Sequence, residues 1–321
     1  MEGPRIASVI PAFNREATIG RAIESALAQT RPPFEVIVVD DGSRDGTRAV
    51  VEAFGSRVRC LSQPNAGGAA ARNAGARAAT AEWVAFLDSD DYWTPGHLEA
   101  VSRAITATES KADFYFADLR RTESEGGHRQ WEQARFATDG LHAFTPDATT
   151  WVLRPRIPMM LQGSVFHRER FLDKGALWAE LRRRHDTHGF LVHGIGSPAC
   201  AVNHVGCVMT ADDATGTRLT AQMDSQSRSF WKYSVELWCD IRRRFPHLDP
   251  LRAQLLRHRL LVAHLRLARH DLRHAHPRGL LHLAQAFRSG PALFLASLMR
   301  RRPDEAQLVP YGEQDGQAGT P

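Results

Sequence analysis

Cysteine is scarce. Cys60, Cys200, Cys207 and Cys239 are the four in 321 residues, and their spacing matches no metal-ligand pattern. Scattered thiols exclude a disulfide scaffold and fit a reducing compartment. Long apolar runs are missing too. None approaches the ~20 residues that would cross a bilayer. The first residues, Met1-Glu2-Gly3-Pro4-Arg5, lead straight into a strand-like segment and lack the basic and apolar regions of a signal peptide. A cytoplasmic protein is therefore expected. The loop after that first segment, Pro11-Ala12-Phe13-Asn14-Arg15-Glu16, has no glycine. This excludes the Gly-Xaa-Gly-Xaa-Xaa-Gly dinucleotide fingerprint, and it argues against nucleotidyltransferases, which open with a glycine-rich basic loop. Acids are rare in one region. Residues 228–302 hold 16 Arg or Lys against four acids, a net +12, while residues 303–321 carry −4, leaving −3 on residues 1–227 of the overall +5. The basic character belongs to the C-terminal segment alone.

What is present is organised around Trp83-Val84-Ala85-Phe86-Leu87-Asp88-Ser89-Asp90-Asp91. A continuous apolar run reads as a strand buried on both faces. It ends abruptly in three carboxylates, which repel one another and each need a donor, water or a cation. In open α/β sheets ligands bind at the C-terminal ends of strands. Asp88 and Asp90 can turn toward one hard cation, magnesium or manganese. Taken alone, the acids would equally make a solvated turn before the helix that starts near Pro95.

The preceding residues alternate strand and helix. Ile6–Pro11, Phe34–Val39 and Val58–Leu61 are apolar strands, and Asp113–Ala117 is a fifth. Between them Ile19, Ala22, Ile23, Ala26 and Leu27 recur at helical spacing, and Val50, Val51 and Phe54 mark a second helix. This order predicts a mostly parallel sheet with right-handed crossovers, flanked by helices.

Four segments in this order carry a resemblance: Ser-Val-Ile-Pro-Ala-Phe-Asn-Arg-Glu at 8–16, Glu-Val-Ile-Val-Val-Asp-Asp-Gly-Ser-Arg-Asp-Gly-Thr at 35–47, Asn65-Ala66-Gly67-Gly68 with Ala71-Arg72-Asn73-Ala74-Gly75, and Phe86-Leu87-Asp88-Ser89-Asp90-Asp91. Together the chain resembles an inverting family 2 glycosyltransferase of the GT-A fold. The likeness is specific over about 110 residues, continues more weakly to about residue 215 and then fades. It implies transfer from a nucleotide-diphosphate sugar, a UDP-sugar first, to a glycan or lipid-linked acceptor, in cell-surface polysaccharide synthesis. It also implies Mg2+ or Mn2+. Donor contacts are expected from Pro11, Phe13, Asn14, Glu16, Asp41, Arg72, Asp88 and Ser89. Asp90, with Asp88, is expected to hold the metal, and Asp41 to read the base imide. Phe13 would lie against the base, unless it is core, and Arg72 would face the diphosphate, unless it is a surface arginine.

The resemblance places the base, a carboxylate, at the start of a later helix. Gly163–Phe171 looks like the strand and helix before it, which makes Asp186 the matching position. His185 replaces the usual Glu there, and Glu180 and Asp173 are the reserves. A helix N-cap is the plain alternative for Asp186. His185, Asp186 and His188 lie in one turn and do not converge on an ion. The departure at His185 keeps open a glycosyltransferase-like module that binds nucleotide sugar or assembles a complex without turnover.

The expected domains are a catalytic region over 1–225, a basic helical extension over 226–302 and a disordered tail over 303–321. In the first, the donor half covers about 1–118 and the acceptor half about 119–225. Residues 120–160 read as a long polar excursion on the acceptor side. In the extension, Leu251, Leu255, Val262, Leu265 and Leu272 share one face of a helix, and Leu256, Leu260 and Leu267 form a second stripe. Two stripes predict packing between two surfaces. With the positive charge and Arg300-Arg301-Arg302, they point to peripheral association with an anionic membrane face, or to a homodimer. Nucleic acid is disfavoured, because interleaved aromatics and a binding motif are lacking.

Overall fold

The computed structural model describes residues 3–122, 126–210 and 227–298. The first apolar runs become β1 (Ile6–Ala12), β2 (Glu35–Asp40), β3 (Arg59–Ser62) and β4 (Trp83–Phe86). They lie in the order β3-β2-β1-β4, and every pair is parallel. Helices α1 (Ile19–Leu27), α2 (Thr47–Glu52) and α3 (Gly68–Ala78) connect them. Both faces of β1 are covered, and all seven of its residues are buried. Side chains alternate along it, so Ile6, Ile10 and Ala12 join the core with Ile19, Ala22 and Ile23 of α1. On the other face α3 comes so close at Gly75 that a Cβ would stand 2.3 Å from Val9 Cγ1. Only glycine permits that approach.

The chain winds from β1 out to β3, then crosses back to place β4 on the other side of β1. The direction of winding reverses between β1 and β4, and the crevice at their C-terminal ends is the expected ligand position. Phe13 follows β1 there, and Asp88 follows β4.

Beyond β4 the parallel progression is interrupted. β5 (Tyr92–Trp93) and α4 (His97–Ala107) precede β6 (Phe114–Arg121), the expected fifth strand. α5 (Gln130–Ala134), β7 (His142–Thr145) and α6 (Thr149–Val152) follow, then β8 (Ser164–His167) and α7 (Arg168–Asp173). β8, not β6, neighbours β4, running antiparallel to both β4 and β6. α8 (His185–Gly194) leads to β9 (Ala199–Met209), which is parallel to β6 and antiparallel to β5 and β7. The sheet is mixed, with mostly parallel strands.

The polar excursion is anchored. Trp131, Phe136 and Trp151 are buried around Phe116, with ring centroids 5.7–5.9 Å from it. Asp118, fully buried, accepts from Arg129 Nε at 2.6 Å and from the Trp131 amide at 2.9 Å.

The chain divides into two units. The sheet and residues 185–210 form the first, and residues 181–184 with the C-terminal helices form the second. In the second, α9 (Arg228–Arg244) ends before Pro246, and α10 (Pro250–Arg273) starts at Pro250, capped by Asp249. α11 (Arg278–Ser289) and α12 (Pro291–Leu298) follow. α9 and α11 pack against α10: its second stripe, Leu256, Leu260 and Leu267, is buried, as are Leu255 and Leu261, while Val262 and Leu265 of the first stripe are half-buried and Leu251 and Leu272 at the helix ends are exposed. Asp271, fully buried, is gripped by Arg228 Nε at 2.6 Å and Nη2 at 3.2 Å. Residue 184 belongs here too: the Arg184 guanidinium lies 5.2 Å from the Phe230 ring and 5.7 Å from the Trp238 ring. The expected boundary at 225/226, Arg300–Arg302 and the tail at 303–321 fall outside the described residues.

Candidate active site

Three strand ends converge. After β1 the chain turns through Asn14, whose φ of 51° is left-handed, a conformation Asn tolerates. This loop is stitched to the one after β2. The Asn14 amide donates to Ser43 Oγ at 2.9 Å, and Asn14 Oδ1 accepts from the Arg44 amide at 2.8 Å. The Glu16 amide donates to Asp45 Oδ2 at 3.2 Å, and Glu16 Oε2 accepts from the Gly46 amide at 3.0 Å. Burial acts upward on the Asp45 carboxyl, and the hydrogen bonds from Thr47 and the Glu16 amide outweigh it, so its pKa is lowered. Asn14 and Glu16 thus hold the loop pair in shape. Pro11 is buried in β1 beside Val39. Phe13 is 41% exposed, so it is not core.

Asp41, at the end of β2, is buried and fastens the glycine-rich loop. Its Oδ1 accepts from Gln63 Nε2 at 2.7 Å and from the Ala66 amide at 2.9 Å, and its Oδ2 accepts from the Gly67 amide at 2.8 Å. That loop opens α3, which carries Arg72 and Asn73. Arg72 is buried and forms an ion pair with Asp88. Its Nη1 also lies 3.5 Å from His185 Nε2, at the first residue of α8. Asn73 bonds the backbone of Leu177 in both directions.

The acidic turn holds Asp88, Asp90 and Asp91 with carboxylate oxygens all within 4.8 Å of one another. They differ in their partners. Asp91, 1% exposed, accepts from the Thr210 amide at 3.0 Å and from Gln162 Nε2 at 3.1 Å. It ties the turn to the end of β9 and to the segment before β8. Asp88 pairs with Arg72, and Asp90 lies 3.8 Å from Arg15 Nη2. Arg21 adds a hydrogen bond from Nη2 to the Asp90 carbonyl at 2.9 Å. Ser89 between them is buried. Nearby negative charge, after burial, raises the Cys207 thiol well above its ordinary pKa, so it stays protonated.

Asp88 and Asp90 fit a divalent cation of the magnesium or manganese type. They are hard oxygen donors within 4.8 Å of each other, and two arginines beside them offset their charge.

Asp186 is half-buried in the first turn of α8, where its Oδ1 accepts from the Thr187 amide at 2.7 Å. Its neighbour His185 brings that turn to Arg72, and hence to Asp88. The reserves Asp173 and Glu180 are both exposed. Reading the sequence did not single out Arg15, Arg21 or Gln162. Arg15 stands inside the first motif segment, and that place was the available signal. Nothing local marks Gln162, which lies 71 residues from Asp91.

The glycosyl transferase family 2 model matches residues 8–164. Over those residues, just under half of its length, the chain resembles the family 2 glycosyltransferases. It is 29% identical over 187 residues to an uncharacterized glycosyltransferase of Nostoc, covering 55% of this chain and 57% of that one. It is 50% identical over 107 residues to the succinoglycan biosynthesis protein ExoO of Rhizobium meliloti, with 32% and 31% covered. Over 101 residues it is 42% identical to WfgD of Escherichia coli, a UDP-Glc:alpha-D-GlcNAc-diphosphoundecaprenol beta-1,3-glucosyltransferase, with 31% and 40% covered. The chain thus spans about a third to just over half of the curated relatives it matches. In fold it is similar to Staphylococcus aureus TarS residues 1–349 in complex with UDP-GlcNAc, at TM-score 0.63 and 16% identity, covering 94% of this chain and 93% of that one. A mannosyltransferase of Pyrobaculum calidifontis in complex with GDP-Man and Mn2+ aligns at TM-score 0.57 and 20% identity, with 97% and 82% covered. The GT-A fold and the family resemblance are both borne out.

Proposed function

We propose that this protein moves a sugar from a nucleotide-diphosphate donor, a UDP-sugar first, to a hydroxyl of a glycan or lipid-linked acceptor, with inversion. The observation that carries this reading is the chain of contacts Asp88–Arg72–His185. It links the acidic strand end to the helix turn that holds a half-buried carboxylate. Phe13, exposed beside the same crevice, offers its ring face to the base. Arg72 and Arg15, which pair with Asp88 and Asp90, would meet the diphosphate oxygens. Asp88 and Asp90 would hold Mg2+ or Mn2+, which would offset the charge that grows on the departing nucleoside diphosphate.

Inversion needs a single displacement. The acceptor oxygen bonds to the anomeric carbon on the side opposite the leaving diphosphate, and its proton passes to a base. Asp186 is that base. The Thr187 amide donates to its Oδ1 and so fixes one carboxylate oxygen. The proposal for the acceptor follows the lipid-linked substrate in the name of WfgD and the polysaccharide pathway in the name of ExoO. Such an acceptor places the enzyme at the inner face of a membrane. A homodimer is a further proposal without a surface assigned to it.

The test is a panel of nucleotide sugars, assayed for donor hydrolysis and for transfer, with manganese and with chelator. Turnover that needs the cation and is lost in Asp90→Ala supports the reading. Nucleotide binding without turnover of any donor would make the chain a binding module.

A further inference from the structure

On α11 the large apolar side chains face outward. The side against α10 holds the buried Gly279 and Ala286, with His282 between them 3.7 Å from Asp271, and a Cβ at Gly279 would stand 2.7 Å from Leu272 Cγ. The opposite side carries Leu280, Ala284 and Phe287, at i, i+4 and i+7, which share one face of a helix. Leu280 is 69% exposed and Phe287 46%, and Leu281, at 52%, widens the stripe. The Phe287 ring meets that of Phe294 on α12 at 5.6 Å, and Leu295 beside it is 53% exposed. A contiguous apolar stripe of this kind marks an interaction surface.

Charge identifies its occupant. Residues 272–303 contain no acid and six arginines: Arg273, Arg278, Arg288, Arg300, Arg301 and Arg302. The first three are exposed on the ends of α10 and α11. A second copy docking like on like would bring these arginines together without a counter-charge. Nucleic acid would leave Leu280, Leu281 and Leu295 without apolar cover. A bilayer with anionic headgroups supplies both an apolar bed and negative charge. An amphipathic helix with arginines beside its apolar face lies in the plane of such an interface. No helix among the described residues is long and apolar enough to cross it.

We propose that α11 and α12 form an in-plane docking surface for an anionic bilayer, with Leu280, Leu281, Phe287 and Leu295 entering the interface and Arg273, Arg278 and Arg288 meeting the headgroups. The surface is on α11, not on the two-striped α10, whose apolar residues are mostly covered. The proposal stands apart from the sugar, the metal and the base.

The experiment uses the full chain with vesicles of phosphatidylcholine, with and without phosphatidylglycerol. The wild type should sediment with the anionic vesicles, and less so as salt rises. Leu280→Glu with Phe287→Glu should weaken this by at least ~10-fold, since binding scales with buried apolar area. Both sites are exposed, so circular dichroism and the melting temperature should be unchanged. Arg278→Gln with Arg288→Gln should weaken binding and flatten its salt dependence. Equal sedimentation with neutral vesicles, or a Glu double variant that binds like the wild type, overturns the proposal. So does a lipid-free dimer that this variant turns into a monomer while the wild type ignores vesicles.

Discussion

Asn73 and Leu177 hold each other reciprocally: Asn73 Nδ2 donates to the Leu177 carbonyl at 2.7 Å, and the Leu177 amide donates to Asn73 Oδ1 at 3.0 Å. Both residues are buried. The side chain beside Arg72 thus anchors the backbone that leads toward α8. Asn73→Ala leaves two buried backbone groups unpaired and should cost about 1–3 kcal/mol by chemical denaturation. Asn73→Asp keeps the acceptor but sets a carboxylate oxygen against the Leu177 carbonyl, so a larger loss is expected. If both variants melt like the wild type, the anchor is not stabilising.

Neighbouring acids in the turn should behave differently. Asp90→Ala should abolish turnover while the fold is retained, although it removes a partner of Arg15. Asp91→Ala strips the acceptor from Gln162 and the Thr210 amide and should lower stability by about 1–3 kcal/mol. Calorimetry with UDP, with and without manganese, reads the metal separately. Equal affinity in chelator would remove the cation from the site.

Asp186→Asn should lower turnover by at least ~100-fold, the scale of losing a general base, with donor affinity nearly unchanged. The amide oxygen of Asn can still accept from the Thr187 amide, so the helix turn is kept. Full activity would transfer the role to Glu180 or Asp173 and reduce Asp186 to a cap.

Acid should destabilise the protein early. Burial, helped by the neighbouring His204, pushes the pKa of fully buried His97 down to about 3 from the ordinary 6.5. Burial of His193 has the same result. Above 6.5 neither folded nor unfolded chain holds the extra proton, and stability is at its full value. As pH falls from 6.5 to 3 the unfolded chain protonates and the native one does not. Each histidine then removes about 1.4 kcal/mol per pH unit. His97→Leu should flatten stability over that window when urea midpoints are compared from pH 7 down to 4. Parallel curves for variant and wild type would refute the assignment.

The first four strands, and the acids that end the second and the fourth, were legible because each strand is a local apolar run closed by a turn. The place of β8 was not. Ser164–His167 reads as a strand, but its partners, Trp83–Ala85 and Phe114–Phe116, are distant in sequence, and side-chain periodicity carries no information about neighbours. The excursion looked like open loop because Trp131, Phe136 and Trp151 are too far apart to form a periodic pattern, though they share Phe116. Among three clustered acids the sequence could not separate Asp91 from its neighbours. That difference lies in Gln162 and Thr210, which arrive from later strands. On α10 the stripe of Leu256, Leu260 and Leu267 is buried, the other stripe is only partly covered, and further exposed apolar surface lies on α11.

Asp41 has a consequence for which nucleotide is chosen. An ionised carboxylate offers about four lone-pair sites, and Gln63, Ala66 and Gly67 occupy three. One acceptor position remains, on the oxygen bonded to Gly67. If Asp41 reads the base, as the family resemblance implies, it can reward a single N–H. The imide of uracil or thymine presents one. Guanine presents two side by side, and its second would find no acceptor on this residue. The fastening of the glycine loop would then also act as a filter, and UDP or dTDP should displace a bound pyrimidine donor far better than GDP does.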